Sequence, residues 1–138
     1  MNHLAAFALA AVIAAPAWAQ SAIEAEAKPL IDQWIAGFNR GEASGLAKNV
    51  YTGADEAALA KTFAKLREDS FGELDVYGAT FCASDATHGK AMLKYGRVFA
   101  YGGLMNGDEA KVFDLVKTDA GWRIATERDV AYTTSLSC

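Results

Sequence analysis

Two oppositely charged residues near the C-terminus have the types and spacing to form a polar binding site. Asp114 and Arg128 lie in separate runs of β-forming residues, and Thr126 adds a hydroxyl shortly before the arginine. A buried carboxylate beside an arginine stays ionised, so Asp114 is expected to orient a ligand as a hydrogen-bond acceptor and not to donate a proton. The alternative interpretation is a structural ion pair at the edge of a sheet.

The relative positions of these residues depend on a predicted β-hairpin in KVFDLVKTDAGWRIATERD, residues 111–129. Its two β-rich runs are separated by Asp-Ala-Gly at 119–121, which predicts a three-residue loop. The expected pairs across the hairpin are Thr118 with Trp122, Val116 with Ile124, Asp114 with Thr126 and Val112 with Arg128. Asp114 and Arg128 are therefore expected on the face that carries Trp122, at the end of the hairpin away from the turn. A register shifted by one residue would invert this face assignment.

Other candidate site residues have weaker support. Glu127 and Asp129 are expected on the opposite sheet face, where Lys111 pairs with Asp129 as a surface ion pair. Asp32 lies about 150° from the apolar stripe of its predicted helix, which predicts a solvated side chain. Several tyrosines can offer a phenol to a pocket, although such residues more often pack in a core; these are Tyr51, Tyr77, Tyr95 and Tyr101.

The elements that must position these residues begin with helices. One long amphipathic helix ending at Gly41 is predicted from an apolar stripe at Ile23, Ala27, Leu30, Trp34 and Phe38. A capping-box pattern at Ser21 and Glu24 marks its expected start. The stripe continues past Pro29, so the helix is expected to kink there and not to begin there. A short helical piece is predicted around residues 45–50, and a further helix is predicted to end near residue 69.

Strands follow the helices. Runs rich in Val, Tyr, Phe and Thr, separated by turn residues, predict strands at residues 73–83, 90–101, 110–118 and 122–133. Helices followed by consecutive strands predict an α+β domain in which the N-terminal helices pack on one face of an antiparallel meander.

Residues 1–19, MNHLAAFALAAVIAAPAWA, have the features of a secretory signal peptide. They contain no Asp, Glu, Lys or Arg, and an apolar core leads to Ala17 and Ala19, which are small residues at positions −3 and −1 of a cleavage site before Gln20. A non-cleaved membrane anchor is the alternative, but the apolar run is shorter than the roughly 20 residues that span a bilayer. The mature domain is therefore expected to comprise residues 20–138 and to be periplasmic or secreted.

The only cysteines of the chain, Cys82 and Cys138, are an even number in a protein expected to be exported, which indicates a disulfide. The chain-entropy model gives about 4 kcal/mol for closing so long a loop. Two unpaired thiols are the alternative, because a sequence does not show whether two Cα atoms lie within about 7 Å. The cysteine spacing fits no zinc pattern and His88 is the only histidine after residue 19, so no metal or other cofactor is expected.

Composition and charge exclude some classes of partner. The chain is 52% apolar and 22% charged, which is typical of one globular domain. Its net charge is −4, and it has no cluster of Lys and Arg. Such a chain lacks the electrostatic footprint for nucleic acid or for an anionic membrane surface, and neither is expected as a partner after signal cleavage.

The order of elements, with LIDQWIAGFNRGE in the long helix and VFDLVKTDAGWRIATERD at the end, resembles the nuclear transport factor 2-like superfamily. The resemblance covers nearly all of residues 20–138. It implies a cystatin-like cone of helices on a curved antiparallel sheet and, as in many members, a homodimer through the open sheet face. The superfamily includes SnoaL-like polyketide cyclases and ketosteroid isomerase-like enzymes. Catalytic members usually place an Asp–His or Asp–Tyr set inside the cone, and His88 in a predicted turn disfavours an Asp–His enzyme.

In the resembled family, the Trp and Ile of the hairpin point into the cone beneath the long helix. This implies an apolar pocket with a polar end, formed by Trp34, Phe38 and Trp122 together with Asp114, Thr126 and Arg128. The pocket is expected to take a small hydrophobic ligand or a partner, without catalysis. The alternative is a SnoaL-like isomerase, cyclase or dehydratase that acts on a small hydrophobic substrate through Asp114 or a tyrosine.

Overall fold

The computed structural model describes residues 16–68, 70–99 and 105–138. In these ranges the elements are α1 Ala17–Arg40, α2 Ser44–Asn49, α3 Glu56–Glu68, β1 Ser70–Ala83, β2 His88–Phe99, β3 Met105–Thr118 and β4 Gly121–Val130. The strands form one antiparallel sheet in the order β1-β2-β3-β4. The predicted α+β fold, with N-terminal helices on a curved antiparallel sheet, is confirmed. Most of the predicted signal peptide, residues 1–15, and Tyr101 lie outside the described residues.

The long helix begins earlier than the capping-box pattern predicts. α1 starts at Ala17, and the Ser21 hydroxyl donates to the Ala17 carbonyl within the helix at 3.3 Å. The helix continues through Pro29, as the uninterrupted apolar stripe predicts. It ends at Gly41, whose φ of 72° lies in the left-handed region that favours glycine.

The apolar stripe of α1 packs against the sheet in an aromatic core. Trp34 and Phe38 are 0% and 2% exposed, and their ring centroids lie 5.6 Å apart in a stacked arrangement. Phe63 of α3 and Phe113 of β3 meet the indole ring edge to face, with centroid distances of 5.8 and 5.2 Å. Such pairs contribute about 0.5–1.5 kcal/mol each beyond their burial. The rings therefore fill the space between the helices and the sheet at this level.

The β3–β4 hairpin departs from the predicted register because β4 contains a bulge at Ala125. Gly121 is part of the strand pairing, so the turn consists of residues 119–120 alone. The pairs next to the turn are Thr118 with Gly121, Lys117 with Trp122 and Leu115 with Ile124. Beyond the bulge, Asp114 faces Thr126 and Val112 faces Arg128, as predicted. An extra residue inverts the alternation of side chains, so the two halves of β4 turn opposite sets of residues toward the helices.

The segment between α2 and α3 extends the sheet at the edge of β4. The Ile124 amide donates to the Val50 carbonyl at 2.8 Å, and the Thr52 amide donates to the Ile124 carbonyl at 2.9 Å. Tyr51 thereby forms a parallel bridge with Ile124. The bridge fixes the phenol of Tyr51 on the helix-facing side of the sheet.

The C-terminal tail, residues 131–138, returns across the sheet face that points away from the helices, here called the outer face. The disulfide between Cys82 and Cys138 ties the tail to β1, with Cα atoms 5.9 Å apart. Lys90 Nζ donates to the Ser137 carbonyl at 3.2 Å. The predicted disulfide is present, and it holds the end of the tail against β1. The tail covers part of the outer face over β1 and β2, and a homodimer through this face stays a prediction.

Candidate functional site

The predicted cluster of Asp114, Thr126 and Arg128 forms, but it lies on the outer face. Arg128 Nη1 and Thr126 Oγ1 both donate to Asp114 Oδ2, at 2.8 and 2.7 Å. The side chains of Asp114 and Arg128 are 35% and 50% exposed, whereas Trp122 is buried beneath α1. The prediction that these groups share a face is wrong, because the bulge at Ala125 inverts the alternation. An ion pair with this exposure contributes about 0–1 kcal/mol, and a ligand-binding role for it stays a prediction.

Trp34 and Phe38, the predicted pocket aromatics, lie inside the aromatic core. Neither residue lines either of the grooves described below. The polar atom of the indole is also engaged, because Trp34 Nε1 donates to the Tyr51 hydroxyl at 2.8 Å. Both side chains thus serve packing and positioning within the cone.

Tyr51, Lys111, Glu127 and Asp129 form a network on the helix-facing side of the sheet, here called the inner polar cluster. The Tyr51 hydroxyl donates to Glu127, and Lys111 Nζ lies 3.5 Å from Glu127 Oε1 and 2.8 Å from Asp129 Oδ1. The side chains of Lys111 and Glu127 are only 6% and 18% exposed. The predicted pairing of Lys111 with Asp129 is therefore present, but the predicted surface location of Lys111 and Glu127 is wrong.

The electrostatics of this region keep its phenols protonated. Burial, followed by the charge of Glu127 and the hydrogen bond to it, raises the pKa of Tyr51 above the ordinary value of 10.0. Burial and then the charge of Glu109 raise the pKa of Tyr95 in the same way. Glu109 itself accepts two hydrogen bonds from Arg97, at 2.6 and 2.7 Å. Chemically, the region pairs protonated phenols with carboxylates that accept from them, the components of an acid–base site.

The tail and the outer face of β1 and β2 line an open groove with a volume of about 580 Å³, here called the tail groove. Its walls include Tyr77, Thr80, Met92, Lys94, Tyr132 and Leu136. The volume lies within the range of roughly 300–1,000 Å³ that is typical of small-molecule sites. The sequence does not predict this groove, since the groove exists only because the tail lies over the sheet.

Two tyrosines and a lysine organise one end of the tail groove. The rings of Tyr77 and Tyr132 meet edge to face with centroids 6.1 Å apart, and Lys94 Nζ lies 5.0 Å from the centroid of Tyr132. The Tyr77 hydroxyl donates to Asp108 at 2.8 Å, and this hydrogen bond raises the pKa of Tyr77 to about 12. Gly96 lets the phenol pass, because a Cβ at that position would lie 2.3 Å from the Tyr77 hydroxyl oxygen.

A second groove, of about 460 Å³, lies between the start of α1, the β1–β2 turn and the β3–β4 hairpin. Trp122 lines it, and Trp122 Nε1 and Lys117 Nζ donate to Glu26 Oε2 at 2.9 and 2.7 Å. These hydrogen bonds, the one from Lys117 first, lower the pKa of Glu26. Another wall contains residues of the range 16–19, which precede the predicted cleavage site, so signal cleavage would remove part of this groove.

No group of three or more His, Cys, Asp or Glu side chains is placed to hold a metal ion among residues 16–68, 70–99 and 105–138. His88 lies in contact with Asp85, with Nδ1 3.1 Å from Oδ1. Across the described helices, none combines the length and apolar character needed to cross a membrane.

Comparison with known proteins identifies the fold. No family model matches the sequence, and no curated protein matches it. Among solved structures, a protein of unknown function from Mycobacterium tuberculosis superposes with a TM-score of 0.65 and 16% identity, over 84% of this chain and 75% of that one. A nuclear transport factor 2-like protein with a cystatin-like fold from Novosphingobium aromaticivorans gives a TM-score of 0.60 and 19% identity, over 83% and 85%.

A ketosteroid isomerase-like protein from Erwinia carotovora atroseptica also matches, with a TM-score of 0.55 and 15% identity over 76% of this chain and 92% of that one. Identities this low establish a common fold and carry no information on chemistry. The helices packed on a curved four-stranded sheet and the likeness to these structures together show that the chain has the nuclear transport factor 2-like fold.

Proposed function

We propose that this protein is an exported nuclear transport factor 2-like domain that binds a small molecule in the tail groove and does not catalyse a reaction. One observation carries the proposal: a cavity of about 580 Å³ lies between the sheet and a tail that the disulfide holds in place. Because one wall is anchored covalently, the groove is present before a ligand arrives. Preformed cavities of this size are the usual sites of small ligands.

The packing of the cone supports a site outside it. Four aromatic rings, those of Trp34, Phe38, Phe63 and Phe113, contact one another where the resembled family implies a pocket. The polar groups beside them bind each other in the inner polar cluster. The proposed ligand site is therefore the tail groove on the outer face and not the interior of the cone, where the family resemblance implies a pocket.

Export is supported by residues 1–19 and by the disulfide, since disulfides persist mainly in oxidising compartments. Cleavage before Gln20 would remove the start of α1, including Trp18, whose side chain is 75% exposed and contributes little packing. Ser21 and Glu24 would then stand at the N-terminus of the shortened helix, where their capping-box pattern can act. The proposed mature form is thus consistent with the local sequence.

Native mass spectrometry of the protein recovered from the periplasm or the medium tests this proposal. The expected protein mass is that of residues 20–138 with the disulfide intact. An additional small mass should persist under gentle ionisation and disappear on denaturation. Recovery of the chain with Met1 intact in the membrane fraction would contradict export, and a bare protein mass from every gentle preparation would contradict the binding function.

Two tryptophan variants locate the bound molecule. Thr80 is exposed and lines the tail groove, so Thr80→Trp should fill the groove without entering the core and should abolish the retained mass. Thr126→Trp is the matched control, because Thr126 is also an exposed outer-face threonine but lies on β4 beside Asp114. Loss of the ligand in Thr126→Trp alone would assign it to the Asp114 cluster and refute the tail groove.

An isomerase or dehydratase acting on a small hydrophobic substrate is the second candidate, and the inner polar cluster favours it. Tyr51 places a buried proton donor against the carboxylate of Glu127, a pairing suited to acid–base catalysis. One structural neighbour is named ketosteroid isomerase-like. Turnover of such a substrate that falls by about 10²-fold or more in both Tyr51→Phe and Glu127→Gln, while Thr80→Trp stays active, would select this function over the first.

A further inference from the structure

Lys94 gives the tail groove a positive charge. Its side chain is half-buried and lines the groove. Within residues 16–68, 70–99 and 105–138, Lys94 makes no salt bridge, whereas Lys111 and Lys117 each pair with a carboxylate. Its contact with the ring of Tyr132 at 5.0 Å compensates the charge only in part. A partly desolvated ammonium in a cavity favours an anionic ligand.

Apart from the hydroxyl-bearing residues Thr80, Thr134 and Ser135, the remainder of the groove presents mainly apolar and aromatic side chains, which suit a flat apolar body. Met92 and Leu136 face the cavity from the sheet and from the tail. The rings of Tyr77 and Tyr132 stand at one end, and the Tyr77 hydroxyl is engaged by Asp108, which does not itself line the groove. Thioether and aromatic groups pack well against planar π systems. The groove therefore offers one cation at the edge of an apolar surface.

We propose that the tail groove binds a small carboxylate with a flat apolar body, with the carboxylate on Lys94 Nζ and the body between Met92, Leu136 and the tyrosine rings. This inference rests on the proposed function, because it names the ligand class of the same groove. The carboxylate forms a charge-assisted hydrogen bond with the ammonium. A neutral molecule of the same shape fills the same space and leaves the ammonium without a counter-charge.

Binding of 2-naphthoate and of its neutral amide, 2-naphthamide, to the disulfide-bonded protein tests the inference by calorimetry and by NMR shift mapping. 2-Naphthoate should bind saturably and perturb Met92 and Lys94, and 2-naphthamide should bind about tenfold more weakly or worse. Lys94→Met should weaken 2-naphthoate by about tenfold and leave 2-naphthamide unchanged. Lys61→Met removes the same charge from an exposed site on α3 and should leave both affinities unchanged.

The outcomes separate this inference from the function on which it rests. If both probes bind equally well and Thr80→Trp excludes both, the groove binds small molecules but the carboxylate class is refuted. If Lys61→Met weakens 2-naphthoate as much as Lys94→Met, the effect is long-range charge and the contact with Lys94 is refuted. If neither probe perturbs the groove at millimolar concentration, the proposed ligand class is refuted, and the native mass spectrum of the recovered protein decides separately whether the groove binds a molecule. Unchanged thermal unfolding of Lys94→Met shows that any loss of binding is local.

Discussion

Trp34, Tyr51 and Glu127 form a chain of two hydrogen bonds whose directions are fixed by the chemistry of the side chains. The indole nitrogen only donates and an ionised carboxylate only accepts, so the Tyr51 hydroxyl must accept from Trp34 and donate to Glu127. Lys111 and Asp129 complete the network from the neighbouring strand positions. Removing the Tyr51 hydroxyl takes the acceptor from Trp34 Nε1 and a donor from Glu127, and buried polar groups are expensive to leave unpaired.

Tyr51→Phe is therefore expected to lower the free energy of unfolding at pH 7 by about 1–3 kcal/mol. The ring and its packing remain, but Trp34 Nε1 loses its acceptor and Glu127 loses a donor. Chemical denaturation of the variant and of the wild type measures the difference. A matched control is Tyr132→Phe, which removes the same hydroxyl from a partly exposed tyrosine. It should alter the free energy of unfolding by less than about 0.5 kcal/mol.

The same variant should change how stability depends on alkaline pH. In the folded protein the pKa of Tyr51 is raised, whereas in the unfolded chain it is near 10.0, so the unfolded chain releases this proton first. The contribution of the protonated phenol is complete below pH 10 and is lost as the pH rises above it. Tyr51→Phe should therefore lose stability less steeply between pH 10 and 11, by up to about 1.4 kcal/mol per pH unit. Parallel curves for the two proteins would contradict the raised pKa.

At the scale of helices and strands, the sequence predicts the order and nature of the elements and misses the irregularities of strand register. Apolar stripes and β-rich runs mark the elements because burial requires those periods. The extra residue at Ala125 and the irregularity between Val76 and Gly78 have no marker of their own, since they depend on how neighbouring strands twist and pair. Glu127 was assigned to the wrong face for this reason alone.

The second irregularity positions a residue of the tail groove. At this point of β1, Tyr77 lies across Gly96 of β2 and reaches Asp108 of β3. The sequence indicates only that Tyr77 can offer a phenol to a pocket and does not predict where its side chain lies. Gly96 on the adjacent strand determines where the side chain of Tyr77 lies. The two residues are distant in the sequence, and only the register of the sheet brings them together.

Gly96→Ala is expected to displace the phenol of Tyr77, because the added Cβ would lie 2.3 Å from its hydroxyl oxygen, which is the movable end of the side chain. Without the hydrogen bond to Asp108, the pKa of Tyr77 should fall from about 12 toward 10.0. Ultraviolet titration of the phenolate, with a Tyr77→Phe spectrum subtracted, measures this pKa. Gly45→Ala is the control, because nothing lies within 4 Å of the Cβ that it adds. An unchanged pKa in Gly96→Ala would show that the phenol does not cross β2.

For the molecule as a whole, the two faces of the sheet are covered by different parts of the chain. The helices cover one face and build the core, and the tail covers part of the other and builds the groove. The even number of cysteines, in a chain expected to be exported, predicts the covalent link between Cys138 and Cys82 of β1. The groove was not predictable, because its volume depends on how far the tail stands above the sheet. The filled cone likewise depends on how the aromatic side chains of three elements meet in space.

Cys138→Ser is expected to lower the free energy of unfolding by about 2–4 kcal/mol, because the disulfide closes a loop with a sequence separation of 56 residues. Reductant should bring the melting temperature of the wild type down to that of the variant. Cys82→Ser breaks the same link and should match Cys138→Ser. Titration of the unfolded, unreduced protein with a thiol reagent should find no free thiol, and two free thiols would refute the disulfide.

The same variant links the disulfide to binding. Without the bond, only contacts such as the hydrogen bond from Lys90 to the Ser137 carbonyl and the cation–π contact of Lys94 with Tyr132 hold the tail over the sheet. Without the disulfide, the tail has more conformational freedom before a ligand binds. Binding then has to order the tail, and the conformational entropy that the tail loses reduces the affinity. Affinity for 2-naphthoate should therefore fall in Cys138→Ser at a temperature where circular dichroism shows the protein still folded. Unchanged affinity in that folded variant would mean that the tail is held in place without the disulfide, and that the bond serves stability alone.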